Sequence, residues 1–307
     1  MIKFCSKCKS KNIWKRGFRY NLVGKKQKYH CKDCDFWFID DDGFKRMRFK
    51  KEIITKAIHQ HIDGFSLFKV QYHLWQHEGI KVSRKTILLW ERKYSALKNP
   101  INEIVSPTIK GNIHYDEKYV QVKDDWNFDL NAIDNKTKFV LAHSFVDKRT
   151  KAKCIKFLKQ IKDSCYPQIL ERYLSEKHKK KKDRLLFEFV CDKFANYGSA
   201  FNKLFYRVAK LYFGVPIACK KYGLKHNNNP IERHNGKIED RIKNIRGGFG
   251  SFDGAKHFMD LQRVLHNLVN PHQELKGKTP AEKAEIKIDL KRNKLLNLIR
   301  FFAKLRR

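Results

Sequence analysis

Residues Ile113-His114-Tyr115-Asp116-Glu117-Lys118-Tyr119-Val120-Gln121-Val122 alternate apolar and polar side chains, the period of a strand with one buried face. Two stretches with the same period, 126–133 and 138–144, follow across the turn residues Lys123-Asp124-Asp125 and Asp134-Asn135-Lys136. A basic helical region is expected over 149–182, with the lysine-rich run 177–182 at an exposed loop or helix end. Leu185-Leu186-Phe187-Glu188-Phe189-Val190-Cys191-Asp192 then reads as a largely apolar buried strand closing on Asp192. A helix over 197–210 and a strand over 211–218 complete the set. A three-strand meander followed by alternating helix and strand predicts an α/β core, a mixed sheet flanked by helices.

Three acids stand out in this segment. Asp116 falls mid-strand, and Asp192 falls at a strand's C-terminal end, where open α/β sheets bind ligands. Glu232 follows Asn227-Asn228-Asn229-Pro230-Ile231, in the first turn of a helix expected through Arg233, Gly236, Ile238, Arg241 and Ile245. Three carboxylates on neighbouring elements could hold two magnesium ions about 4 Å apart, the arrangement used for in-line phosphodiester displacement. Glu117, Glu188 and Glu239 are rivals for the same role, and any single acid of this kind is more often an ordinary surface or ion-pair residue.

Upstream, Asp40-Asp41-Asp42-Gly43 reads as a short linker. Beyond it Ile53, Ile54, Ala57, Ile58 and Ile62 recur at helical spacing. Asp63-Gly64-Phe65-Ser66 stops that helix and caps a second over 67–77, and Ser83 caps a third that carries Ile87, Leu88, Trp90 and Tyr94. Three short helices with tight turns suit a helix-turn-helix, whose third helix would read DNA through Arg84, Lys85 and Arg92; a generic helical bundle is the alternative.

Eight cysteines fall into two groups. Cys5, Cys8, Cys31 and Cys34 form two Cys-x-x-Cys knuckles with 22 residues between them, the spacing of a structural zinc site, with Gly24 at a plausible hairpin tip. A redox or disulfide pair is the alternative. Cys154, Cys165, Cys191 and Cys219 are scattered and read as buried apolar residues in a reducing cytoplasm. Around the knuckles Lys15, Arg16, Arg19 and Lys26 interleave with Trp14, Phe18, Tyr20 and Tyr29, a mixture suited to phosphate contact and base stacking.

The chain carries 68 Lys+Arg against 32 Asp+Glu, a formal net charge of +36 over 307 residues. Such an excess works against compaction and is most simply offset by a polyanionic partner. At 41% hydrophobic composition wholesale disorder is excluded. No apolar stretch is long enough for a membrane span, and the first residues have no signal-peptide pattern, so a cytoplasmic protein with no membrane partner is expected. The C-terminal stretch 291–307 is basic, without acids, and places Leu295, Leu298, Ile299 and Phe302 on one helical face. That pattern also suits a membrane-surface helix, but packing on the core with the basic face toward DNA fits the rest better.

Taken in order, these segments resemble DDE-type transposases of insertion sequences, with a retroviral-integrase-like (RNase H-like) catalytic core. Cys5-x-x-Cys8 through Gly24-Lys25-Lys26-Gln27-Lys28-Tyr29-His30-Cys31-Lys32-Asp33-Cys34 resembles the zinc ribbon that heads many of them. His114-Tyr115-Asp116-Glu117-Lys118-Tyr119-Val120 resembles the segment of the first catalytic acid, Phe189-Val190-Cys191-Asp192 that of the second, and Asn229-Pro230-Ile231-Glu232-Arg233-His234-Asn235 that of the third. Arg246-Gly247-Gly248-Phe249, Asn267-x-x-Asn270-Pro271-His272 and Gly277-Lys278-Thr279-Pro280-Ala281-Glu282 resemble the downstream signature. Two departures are the 39 residues between Asp192 and Glu232, longer than in many members, and Lys193-Phe194 where a small residue is commoner.

The resemblance implies four parts: a zinc ribbon over 1–42, a helix-turn-helix over 43–105, a catalytic core over 106–290 and a basic helix over 291–307. It implies structural zinc on the four cysteines and Mg2+ or Mn2+ on Asp116, Asp192 and Glu232, for nicking and then attack of a 3′-hydroxyl on target DNA. Arg233 and Arg246 join the expected DNA contacts, and a homo-oligomer on double-stranded element ends, in the cytoplasm with the nucleoid, is expected. A non-catalytic DNA-binding regulator, a decayed or domesticated transposase and a simple nuclease remain the alternatives.

Overall fold

A computed structural model describes residues 4–21, 24–39, 41–214, 227–245 and 247–305. The alternating stretch forms β4 (Ile113–Val122), following a small sheet of β1 (Ile13–Asn21), β2 (Gly24–Cys31) and β3 (Trp37–Ile39) and four helices. β5 (Asp125–Asp134) and β6 (Val140–Val146) extend β4 as the expected antiparallel meander. On its other edge β4 runs parallel to β7 (Glu188–Cys191), which runs parallel to β8 (Lys210–Phe213). The sheet order is β6-β5-β4-β7-β8. This is the mixed sheet that the texture of the sequence predicts.

β7 is shorter than the apolar run 185–192 suggests. Its partner β4 begins only at Ile113, opposite Phe189, so 185–187 have no strand to pair with there. The helix after β6, α5 (Lys151–Glu176), stops before the lysine run, and its first turn is capped by the Thr150 hydroxyl, which accepts from Lys153 N. α6 (Ala195–Phe205) lies between β7 and β8, and with α5 it covers one face of the sheet. α7 (Asn229–Ile242) and α8 (Phe252–Leu268) cover the other. Most of the expected 211–218 strand beyond Phe213, and Cys219, lie outside the described residues; Cys154, Cys165 and Cys191 are buried as expected.

The upstream helices are α1 (Lys51–Ile62), α2 (Leu67–Glu78), α3 (Arg84–Ser95) and α4 (Lys98–Ile104). Ser66 and Ser83 accept from Lys69 N and Thr86 N, and Gly79 ends α2 in the left-handed region. Ile53, Ile54, Ala57, Ile58 and Ile62 are buried, as are Ile87, Trp90 and Tyr94, whereas Leu88 is exposed. The hydrophobic core is continuous from Phe44, just after the linker, to Phe302. α3 packs on α8, where Ser95 Oγ lies 2.8 Å from His257 Nδ1, and Lys98 at the start of α4 reaches Asp260 on α8 at 2.6 Å. Asp260 also lies 3.5 Å from the buried His143 imidazole, whose other nitrogen is 2.6 Å from Asp129. Burial alone would lower the His143 pKa, but Asp129 and Asp260 together raise it.

Two short helical segments close the core. α9 (Pro280–Lys283) begins with a reciprocal capping box between Thr279 and Glu282. α10 (Lys294–Leu305) buries Leu295, Leu298, Ile299 and Phe302, packs on α1 and lies against Gly43. A Cβ at Gly43 would stand 2.5 Å from Ile299 Cγ2, and its φ of +84° is one that glycine tolerates best. Among the described residues no helix is long and apolar enough to cross a membrane.

Candidate active site

The register of the parallel pair brings the acids together. Ile113 lies opposite Phe189 and His114 opposite Val190, so two residues further on Asp192, just past the end of β7, is level with Asp116. β7 stops there, leaving β4 with a free edge until Val122 bridges Phe249. In that gap carboxylate oxygens of Asp116, Glu117 and Asp192 all lie within 4.8 Å of one another. This is the crevice beyond a strand's carboxyl end in which open α/β sheets place ligands.

Neighbouring side chains on β4 leave from opposite faces, and their partners differ accordingly. On the α5 and α6 side both oxygens of Glu117 are engaged: Oε1 accepts from Arg149 Nη1, and Oε2 accepts from the Tyr197 hydroxyl at 2.6 Å. The Arg149 guanidinium is itself seated over the rings of Phe194, Phe128 and Tyr119 at 4.4, 4.7 and 5.6 Å. Phe194, one of the two residues that depart from the commoner pattern after Asp192, thus holds the arginine that holds Glu117. Asp192 itself accepts from Phe194 N at 3.1 Å, which fixes the turn into α6.

On the opposite side α7 runs beside β4. Asn235 Nδ2 donates to the Glu117 carbonyl at 3.4 Å, and Lys118 pairs with Glu239. Glu232 lies in the first turn of α7, behind Pro230, exposed and outside the close group of three carboxylates. Its charge is nevertheless felt at Asp116. Burial, then the charge of Glu117, and further those of Asp192 and Glu232 push Asp116 up to about 7. Burial also raises Glu117, against the pull of Tyr197 and Arg149. Glu188 lies at the far end of β7, where Asn112 Nδ2 donates to it at 2.9 Å.

The donor set is carboxylate oxygen throughout, which suits hard Mg2+ or Mn2+. Crowded acids, one of them retaining its proton to about 7, form a site that a divalent cation would relieve. The residues present therefore fit the ion, and they leave Glu117 the most fully engaged of the three. Arg149 and Tyr197 had no signal in the sequence, because they reach Glu117 from 32 and 80 residues away.

A measurable consequence concerns pH. Asp116 in the folded chain binds its proton more tightly than its ordinary value of 3.8, up to about 7, so its ionisation weakens the fold. The loss begins near pH 4, grows as pH rises to about 7 and is constant above that. Asp116→Asn should remove it. Urea unfolding without divalent cation is expected to show little gain for the variant at pH 4 and a gain of roughly 4 kcal/mol by pH 7.5. A pH-independent difference would contradict the burial and crowding described for Asp116.

The four knuckle cysteines also converge. Their sulfurs lie within 4.8 Å of one another, with Cys5 and Cys34 at 3.7 Å and Cys8 and Cys31 at 3.5 Å. A tetrahedron of Zn–S bonds of about 2.3 Å has edges of about 3.8 Å, so the set fits zinc, and these separations are too long for disulfides. Burial, then the neighbouring Cys8 thiol, pushes Cys34 up to about 12. Of the expected DNA contacts, Lys15, Arg16 and Arg19 are exposed on β1, and Arg84, Lys85 and Arg92 are exposed on α3. Lys26 pairs with Asp42 at 3.4 Å, and Arg233 is exposed but 3.4 Å from Glu274. Arg246 lies outside the described residues.

Residues 111–272 match the profile of the DDE domain family, which covers just over half of the chain. No curated protein matches. Among solved structures the chain is similar to the HTLV-2 integrase catalytic core domain in complex with magnesium, at 15% identity and a TM-score of 0.36, over 58% of this chain and 97% of that one. It is also similar to a chain of the simian T-cell lymphotropic virus intasome in complex with the PP2A regulatory subunit B56 gamma, at 11% identity and a TM-score of 0.38, over 77% of this chain and 76% of that one. With the match spanning β4 to the turn after α8, and with it Asp116, Asp192 and Glu232, the chain belongs to the DDE-domain family of transposases.

Proposed function

We propose that the protein is an insertion-sequence transposase that cleaves element-end DNA and joins it to target DNA, with an RNase H-like core acting in the cytoplasm. The observation that carries this reading is the convergence of Asp116 and Asp192 across the β4–β7 register, with Glu232 outside the close group but near enough for its charge to act on Asp116. Asp116, Asp192 and Glu232 would hold Mg2+ or Mn2+, and Glu117, fixed by Arg149 and Tyr197, would position the strand that carries Asp116. When bound, the divalent ions would supply positive charge to the attacking and leaving oxygens of an in-line displacement. The zinc ribbon and α1–α3, as a helix-turn-helix, would recognise element ends through Lys15, Arg16, Arg19, Lys26, Arg84, Lys85 and Arg92, with Arg233 and Arg246 nearer the chemistry. The working form would be a homo-oligomer holding paired ends.

The cleavage assay uses duplex DNA carrying the inverted repeats that flank the gene, with magnesium or manganese added. End-specific nicking followed by joining supports the proposal. Nicking without joining would make the protein a nuclease, and binding without nicking a regulator.

Charge supplies a separate expected result. With the surplus of basic residues facing phosphates, log affinity for duplex DNA should fall steeply and linearly with log salt. Contacts to about six phosphates would weaken binding roughly 10³-fold between 50 and 200 mM salt. Fluorescence anisotropy measures this directly, and a flat dependence would remove the polyanion partner.

A further inference from the structure

Behind α7 a cavity of about 220 Å³ opens between the end of α1, α7, α8 and the 270–273 turn. Lys237 and Arg241 line it, five and nine residues after Glu232, which places them about 140° and 180° round the helix from that acid. Asp63, Gln262, His266, Asn270, His272 and Gln273 supply the rest of the polar wall. The Asn270-Pro271-His272 turn belongs to the downstream sequence signature, for which the candidate active site has no use.

Hydrogen bonding in this wall leaves donors over. Lys237 Nζ lies 2.6 Å from His272 Nε2, and an ammonium can only donate, so that imidazole nitrogen accepts. His272 is therefore neutral with its proton on Nδ1, and Nδ1 is buried with no hydrogen-bond partner. Lys237 makes no ion pair among the described residues. Arg241 Nε stands 3.7 Å from Asp63 Oδ1, but Asp63 is already shared by His59 at 3.1 Å and Asn270 Nδ2 at 2.9 Å. His266 Nε2 donates to the Lys138 carbonyl at 2.8 Å. Burial, and after it the nearby charges of Lys237 and Arg241, hold His266 down at about 3. The volume corresponds to about seven waters at about 30 Å³ each, room for a tetrahedral oxyanion with part of its hydration.

We propose that this cavity is a phosphate-binding site, in which Lys237, Arg241 and His272 Nδ1–H donate to the oxyanion. Seated there, a phosphate joins the end of α1 to α7 and α8. The phosphate is either free in solution or part of a DNA backbone, and the site stands whether or not the chain proves to cleave DNA.

The test uses full-length, zinc-loaded protein with 15N-labelled histidine, titrated with inorganic phosphate at ionic strength held constant with sodium chloride. The His272 Nδ1 signal, assigned through His272→Gln, should shift saturably. Lys237→Gln should weaken that phosphate affinity at least about 10-fold, since a charged donor is lost. Lys237→Arg, which keeps the charge, should retain binding, and an unchanged His143 signal in each variant reports an intact fold. A short duplex DNA then separates the sources. If duplex displaces phosphate and Lys237→Gln lowers the salt slope of DNA binding by about 1, the natural ligand is a backbone phosphate. If phosphate binds equally well beside the duplex, the ligand is a free anion. No saturable His272 shift, or the same shift in Lys237→Gln, would overturn the site.

Discussion

Glu232→Gln protein is expected to bind element-end DNA with wild-type affinity and to nick it slower by about 10²–10³-fold or more, while Glu239→Gln nicks normally. Glu232 and Glu239 lie two turns apart on one side of α7, so they share helix, face and chemical type. Their surroundings differ. Glu239 pairs with Lys118, whereas Glu232 is exposed at the start of the helix and its charge reaches Asp116. The glutamine substitution keeps volume and hydrogen bonding and removes only charge, so a loss confined to chemistry isolates the role of that charge. Glu117→Gln is the informative companion. It leaves the Arg149 guanidinium without its carboxylate in a partly buried aromatic seat, and a buried pair broken on one side commonly costs about 3–5 kcal/mol. A structural role for Glu117 predicts lower stability together with lower activity. A ligand role predicts lost activity in a protein of ordinary stability. A dead Glu239→Gln beside an active Glu232→Gln would move the third acid along α7, and normal cleavage by both would remove the mechanism.

What could be read in advance follows the range of the interactions involved. The helix caps at Ser66 and Ser83 and the meander from β4 to β6 rest on neighbours within a few residues, and each is visible as a local pattern. The strand positions of Asp116 and Asp192 were legible too, one within a strand and the other at a strand's end, but that these two strands pair directly is shown only by the fold. The extent of β7 was not legible: its apolar run continues upstream, but the length of a strand is set by its partner, which begins at Ile113. The seat of Arg149 draws rings from β4, β5 and the turn into α6, and no periodicity within one segment encodes it. The same holds for the buried imidazole of His143, whose carboxylate partners come from β5 and α8. Long-range polar pairing is invisible to pattern because any acid and any base satisfy it, and only the fold decides which two meet.

Cys31→Ser is the second large effect. Wild-type protein should carry about one tightly bound zinc per chain, and the variant none, when metal is measured after chelator treatment. β1, β2 and β3 form a three-stranded sheet most of whose side chains are exposed, so the ribbon has little apolar core of its own. Structural zinc in such modules supplies an apparent binding free energy of about 10–16 kcal/mol, most of which appears as folding. Losing one of four thiolates should therefore unfold the ribbon rather than loosen it. The rest of the chain has its own continuous core from Phe44 to Phe302 and should keep its helical circular dichroism and its unfolding transition. DNA binding then separates two roles for the ribbon. If its exposed Lys15, Arg16 and Arg19 contact element ends, Cys31→Ser loses end-specific affinity while retaining weak, salt-sensitive binding through α3. Full zinc occupancy in Cys31→Ser would take Cys31 out of the metal site, and unchanged end recognition would take the ribbon out of DNA recognition.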